Sequence, residues 1–148
     1  SIKTGADVDI EGPYGALFDQ AVEQEPELWI AGGIGITPFL SRARDLQNRP
    51  DQNFNIILIY CVQDEARALF YDELANIALA LPGFDLCMHY FYREGPLSAE
   101  FLKAHCTTPG RRHTFICGPP PLLNLARRVA LNAAVPRNRI HTEEFDLL

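Results

Sequence analysis

The chain opens on a short alternation of apolar and polar residues. Ala6 to Glu11 (ADVDIE) repeats with period two, as a half-exposed strand does, and it runs into the turn cluster Gly12-Pro13-Tyr14-Gly15. No second strand of that kind follows. The segment therefore reads as the last strand of a neighbouring β domain, with Glu23 to Glu27 as an acidic linker. From Leu28 the pattern changes. Leu28 to Ala31 is a short apolar run ending in Gly32-Gly33-Ile34-Gly35-Ile36-Thr37-Pro38, and Phe39, Leu40, Ala43 and Leu46 then fall on one helical face. Phe54 to Val62 (FNIILIYCV) is almost continuously apolar and β-branched, as in a strand buried on both faces of a parallel sheet. Phe70, Leu74, Ile77 and Leu81 repeat at helical spacing until Pro82-Gly83 stops them. Phe84 to Tyr92 reads as a third strand, Ser98 to Ala104 as a short helix and Thr114 to Cys117 as a fourth strand. Leu122, Leu125, Val129 and Ala133 line a last helix, and Ile140 to Glu143 form a fifth strand.

Strand and helix alternating five times predict an α/β fold, a doubly wound five-stranded parallel sheet with helices on both faces. Right-handed crossovers give the order 3-2-1-4-5, which puts the topological switch point between strands one and four. A ligand belongs at the carboxyl ends of those two strands. The two Gly/Pro-rich loops, after Ala31 and after Cys117, fall at those ends.

The first loop suits an anion. Gly32, Gly33 and Gly35 remove side chains where backbone N–H groups can turn toward a ligand, and Pro38 is preset for the start of a helix. The helix N-terminus that follows offers unpaired donors and positive dipole to a pyrophosphate. There is no G-K-[ST], which excludes a phosphate-gripping NTPase loop, and Pro38 stands where a G-x-G-x-x-G fingerprint would need its third glycine. A tight strand-to-helix turn without a ligand explains the glycines equally well. In the second loop, Cys117-Gly118-Pro119-Pro120-Pro121, three prolines stiffen the backbone and Cys117 ends a buried strand at the crevice. Its thiol reads as a small hydrophobe or as a nucleophile, and no His or Asp partner is evident for the second role.

Composition narrows the classes. In 148 residues, 47% are hydrophobic and 22% charged, which suits one core-bearing domain and excludes disorder as a description of the whole. Thirteen Lys and Arg against 19 Asp and Glu leave a net charge of −6, which argues against nucleic acid or an anionic membrane as a general partner. The longest apolar stretch, Ile56 to Val62, is too short to span a bilayer. Met88 is the only methionine, so the chain reads as a cut-down piece. Cysteines at 61, 87, 106 and 117 show no C-x-x-C spacing, which argues against zinc, an iron–sulfur cluster or a disulfide framework and for a reducing, cytoplasmic setting. His89, His105, His113 and His141 show no ligand spacing and are expected to be structural or solvated.

Taken together, GGIGITPFLS after a strand, CGPPPLL after a later strand, the terminal EEF and GPYG ahead of them resemble the nucleotide-binding half of the ferredoxin–NADP reductase superfamily. CVQDEARALFYDEL is most similar to its ferric-reductase and NADPH-oxidase-like branch. The resemblance runs from Gly12 to Phe145. It implies residues 1–26 as the remnant of a flavin-binding β-barrel with its linker, and 27–148 as an NAD(P)-binding domain. It implies that Gly32, Gly33, Ile34, Gly35, Ile36 and Thr37 wrap the pyrophosphate and nicotinamide ribose, with Pro38 opening the helix. The Thr37 hydroxyl would lie near the nicotinamide. Cys117 and Gly118, followed by Pro119 and Pro120, would flank the ring and hold its C4 against the flavin, and Glu144 and Phe145 would cover the flavin face. Asp146, Leu147 and Leu148 follow the aromatic, a departure from the family pattern.

At the end of strand two, Gln63, Asp64 and Glu65 stand where this branch often places an Arg. Two carboxylates suit a free ribose hydroxyl, whereas Arg67 or Arg93 would suit a 2′-phosphate. The leading expectation is a module that binds NAD(P)H and passes hydride to FAD on a flavin-binding domain of the same parent chain. Beyond the flavin the acceptor would be heme and ferric iron, oxygen or a ferredoxin-like partner. A non-catalytic nucleotide-sensing domain is the alternative, and a flavodoxin-like flavin binder ranks below both.

Overall fold

Period-two alternation sorts the central strands onto two packed faces, and that sorting builds the architecture. The computed structural model describes residues 3–7, 15–22, 24–49 and 52–144. Strands β1 (Glu27–Gly32), β2 (Ile56–Val62), β3 (Phe84–Tyr90), β4 (His113–Gly118) and β5 (Ile140–Glu144) form one parallel sheet in the order β3-β2-β1-β4-β5. Trp29, Ala31, Leu58, Tyr60, Phe115 and Cys117 pack in one core cluster with α1 (Thr37–Gln47) and α2 (Tyr71–Ala80). Leu28, Ile30, Ile57, Ile59, Cys61 and Ile116 pack in a second with α4 (Ala99–His105) and α5 (Pro120–Asn132). Every residue of β1 and β2 is buried, as continuous apolar runs between two helical layers require.

The segment before the sheet belongs to the α1 face. Leu17 is buried, and the Phe18 ring sits 5.4 Å from Trp29, 5.7 Å from Phe39 and 4.9 Å from Phe115, with the Arg42 guanidinium 4.6 Å above it. Most of the alternation at Ala6 to Glu11, the GPYG turn and Phe145 lie outside the described residues.

Four expectations are corrected. Glu27 is the first residue of β1 and not the end of a linker. It is 4% exposed, its carboxylate accepts from Trp29 Nε1 at 2.6 Å and from Arg42 at 3.3 Å, and this pairing is what lets an acid enter the core. The third strand stops at Tyr90 instead of Tyr92. Glu94 accepts the Tyr90 N–H at 2.7 Å, Tyr92 N–H donates to the Gln63 carbonyl at 3.0 Å, and Gly95 closes the turn at φ +74°. Those bonds turn Phe91–Glu94 into a one-turn helix, α3, across the end of β2. The second strand begins at Ile56, two residues after Phe54, because Ile56 N–H is drawn to the Gly83 carbonyl at 2.8 Å. Ser98, expected inside a helix, is instead the N-cap of α4 and accepts from Phe101 N–H at 3.1 Å.

Candidate functional site

The switch point is where the two loops touch. The glycine-rich segment is a 3₁₀ turn, Gly33–Ile36, that leads directly into α1 with Pro38 in its first turn. Its glycines have separate reasons. Gly33 holds φ +51° with open space beside it, a conformation that disfavours a side chain. Gly35 lies against the backbone end of β4: a Cβ there would stand 2.6 Å from the Cys117 carbonyl carbon and 2.7 Å from Gly118 Cα. Gly32 is closed off by Leu122 of α5. The Tyr60 hydroxyl donates to the Gly33 carbonyl at 3.3 Å and Thr37 Oγ1 donates to the Ile34 carbonyl at 3.1 Å, so the turn is tied from both sides.

The turn runs between two hollows, one on each face, lining the first with Gly32 and Gly33 and the second with Thr37 and Pro38. On the α5 face a cavity of about 450 Å³ is lined by Gly32, Gly33, Cys61, Gln63, His89, Phe91, Tyr92, Pro119 and Leu122 among others. On the α1 face a more polar groove runs between Gly15, Leu17 and Phe18 and the start of α1, past Thr37, Pro38, Ser41 and Arg42 to Glu143.

The structure brings together Gly32, Gly33, Gly35, Thr37, Cys117, Gly118 and Pro119. Ile36 is buried in the core while Ile34 is 39% exposed, so the two isoleucines of the turn face oppositely. Pro120 is half-buried at the start of α5, next to the cavity-lining Pro119 and Pro121. Cys117 does not open on either hollow. It is fully buried with Trp29 and Phe39, and burial, followed by the neighbouring Glu143 carboxylate, pushes its thiol up to about 12. A thiol held protonated is no nucleophile, which removes that reading. Glu143, which the sequence did not single out, pairs in register with Cys117 and shares its face; Glu144 pairs with Gly118 and is exposed. The parity of β5 was the missing signal, since one residue of register exchanges the two acids.

At the end of β2, Gln63 lines the cavity and Asp64 pairs with Arg67. Glu65 pairs with Arg93 at 2.9 Å. One oxygen of Asp64, Oδ1, is buried with no partner among the described residues. Both candidate phosphate-binding arginines are thus matched to carboxylates. The Arg67 and Arg93 guanidiniums also lie 5.8 Å and 4.6 Å from the Tyr92 and Tyr90 ring centres.

Two histidines link this region to pH. Burial lowers the imidazole of His89, with Glu94 opposing and His105 adding to the shift; burial and His113 lower that of His141. Unfolding returns both to an ordinary value of about 6.5, so acid protonates the unfolded chain first. Stability is therefore full above that pH and falls as pH drops below it, levelling once the folded rings also titrate. Calorimetric melting between pH 8 and pH 5 is expected to show this loss, and a His89→Phe/His141→Gln double variant to flatten it. An unchanged slope in the double variant contradicts the assignment.

Residues 29–128 match the family described as oxidoreductase NAD-binding domain. The chain is 31% identical to human (Homo sapiens) NADH-cytochrome b5 reductase 2, over 85% of this chain and 55% of that protein. It is 26% identical to the ferredoxin reductase component of 3-ketosteroid-9-alpha-monooxygenase from Rhodococcus rhodochrous, over 100% of this chain and 42% of that one. The chain thus spans about half the length of the curated relatives it matches. Among solved structures, flavohemoglobin from Malassezia yamatoensis, with bound FAD and heme, superposes with a TM-score of 0.73 at 21% identity, covering 82% of this chain and 32% of that one. The chain belongs to the oxidoreductase NAD-binding domain family.

Proposed function

We propose that this chain is the NAD(P)H-binding half of a flavin-dependent reductase, delivering hydride to FAD on a flavin-binding domain of the same parent protein. One observation carries the reading: the glycine-rich turn lines a hollow on each face of the sheet, through Gly32 and Gly33 on one and Thr37 and Pro38 on the other. A dinucleotide has that shape, two nucleosides joined by a pyrophosphate that needs backbone N–H groups and no side chains in the way. The residues fit it. Gly33 leaves open space beside the turn, and Gln63 and the unpartnered Asp64 Oδ1 offer polar groups at the end of β2.

When bound, the two cofactors supply the chemistry, hydride passing from the nicotinamide C4 to the flavin N5. The chain's part is position. The turn at Gly33–Ile36 and the N-terminus of α1 hold the pyrophosphate, with Pro119 and Pro120 stiffening the opposite wall. Thr37 orients the carboxamide side of the ring from the α1 groove. Cys117, sealed behind the Gly35 backbone, sets the height of that turn. Glu143 or Glu144 stands toward the flavin side. Bringing the reacting atoms to about 3–3.5 Å is the step these groups accelerate. The relatives' names supply the acceptor classes: a cytochrome for one and a ferredoxin reductase role for another, which suits heme or a ferredoxin-like protein and leaves ferric iron as the branch-specific alternative.

On the nucleotide, we propose that NADH is accepted at least as well as NADPH, because Arg67 and Arg93 are already matched to Asp64 and Glu65. Titration of the chain with AMP and with 2′-phospho-AMP is expected to give dissociation constants on the order of 0.1–1 mM, with AMP the equal or tighter ligand. Amide shifts should map to Gly32–Ile36 and Gln63. A 2′-phospho-AMP preference of about tenfold, or about 1.4 kcal/mol, overturns the NADH assignment. Shifts that map away from both hollows overturn the functional reading itself.

A further inference from the structure

We propose that β3, at the edge of the sheet, pairs with β3 of a second copy of this chain. The two strands run antiparallel about a two-fold axis at Cys87, so that two domains share one continuous sheet.

The ladder decides which backbone groups are free. Among the described residues β3 pairs with β2 alone. Ile56 N–H donates to the Gly83 carbonyl at 2.8 Å, so the residues that alternate with Gly83, namely Asp85, Cys87 and His89, turn their backbone groups toward β2. Phe84, Leu86, Met88 and Tyr90 turn theirs outward. The two ends are occupied: Phe84 N–H donates to the Leu81 carbonyl at 3.2 Å, and Tyr90 N–H to Glu94 at 2.7 Å. In the middle, Leu86 and Met88 have no backbone partner on the outward side among the described residues, and the Met88 carbonyl meets only the Cys87 thiol at 3.9 Å. Edge strands are commonly guarded by a Lys, a Pro or a bulge. The sequence of β3, FDLCMHY, has neither Lys nor Pro, its register with β2 is unbroken, and its one carboxylate is Asp85.

These groups fit their own image. With Leu86 opposite Met88 of the second copy, the two residues exchange both hydrogen bonds, once on either side of the axis. Cys87 then faces its own copy across a non-hydrogen-bonded site, where Cα atoms stand about 4.5 Å apart. Asp85 falls opposite His89, which lies against the Phe101 and His105 rings of α4. Each copy therefore sets its acid beside imidazoles and away from the other acid, and that complementarity selects a second copy as the occupant. The helical layer allows the approach. Arg44 of α1 holds Glu73 of α2 at 2.6 Å, so the opposite flank of α2, with Tyr71, Ala75 and Ala78, lies toward the β3 edge. Two alanines on that flank leave room for the same flank of the second copy.

The test is sedimentation of the whole chain from about 10 µM to about 1 mM, a span that covers micromolar to millimolar dissociation. The mass is expected to rise from one copy to two. Met88→Pro deletes an outward N–H and leaves the ladder to β2 intact. Leu86→Lys places a charge at the edge while its stem still covers the core. Both variants should keep the wild-type circular dichroism spectrum and sediment as single copies across the range. Oxidation by copper phenanthroline in air should link two wild-type chains through Cys87, since the Cα separation lies within the 4.4–6.8 Å that a disulfide spans, and Cys87→Ser should give no linked dimer. Wild type that stays a single copy throughout overturns the proposal. So does a dimer that survives in both folded variants, or a linked dimer that persists in Cys87→Ser. If Met88→Pro fails to fold, Leu86→Lys decides alone.

Discussion

Gly35→Ala is expected to lower the stability of the domain by about 3 kcal/mol, near the top of the range for overpacking. The added methyl would lie 2.6 Å from the Cys117 carbonyl carbon and 2.7 Å from Gly118 Cα. Those are backbone atoms of β4, a strand hydrogen-bonded on both sides to β1 and β5, so they cannot turn away. The neighbouring glycines give the contrast. At Gly32 the obstruction is the far end of the Leu122 side chain, which can change rotamer. At Gly33 there is open space, and the cost is the strain of a side chain at φ +51°, about 1–2 kcal/mol. At roughly 2–4 °C per kcal/mol for a domain of this size, Gly35→Ala should melt about 10 °C below wild type and Gly33→Ala within about 5 °C. Circular dichroism melts decide it: Gly35→Ala melting no lower than Gly33→Ala would show that β4 and the turn are not in the tight contact described.

In the flavin-dependent reductase proposed above, Cys117→Ala should slow flavin reduction by NAD(P)H roughly 10–100-fold while raising KM much less. The sulfur is buried among Trp29, Phe39 and Phe115, and the Cys117 carbonyl supports the Gly35 backbone that leads to Thr37. Removing the sulfur leaves a small void, worth about 1 kcal/mol of stability, into which the turn can relax. A shift of a few tenths of an ångström misplaces the nicotinamide without abolishing its binding. Cys117→Ser keeps the volume and, with Glu143 beside it, has an acceptor for its hydroxyl, so its rate should stay within a few-fold of wild type. Stopped-flow bleaching of the flavin, set beside melting of the same variants, separates position from stability. A destabilised Cys117→Ala that reduces its flavin at the wild-type rate would reduce Cys117 to ordinary core.

The sequence alone determined the sheet. Runs such as Ile56–Val62 and Leu28–Ala31, too apolar for any one-faced strand, demand helices on both sides, and the order expected from right-handed crossovers, 3-2-1-4-5, is the one found. It also placed the two Gly/Pro-rich loops at the ends of β1 and β4, because glycine and proline announce a turn wherever it lies. What it left open was every matter of facing. Cys117 was expected at the crevice and is sealed beneath it; Glu143, one residue from the expected acid, shares its face; and His89, with the look of a structural histidine, lines the apolar hollow on the α5 face. Arg67 and Arg93 were legible as cations, yet the ion pair of Arg93 with Glu65 depends on where α3 folds across β2. Backbone type follows from local pattern, because φ/ψ preferences and apolar period act over a few residues. Which atoms of a side chain meet a ligand depends on register and on contacts between segments distant in the chain, and those exist only once the sheet has closed its layers.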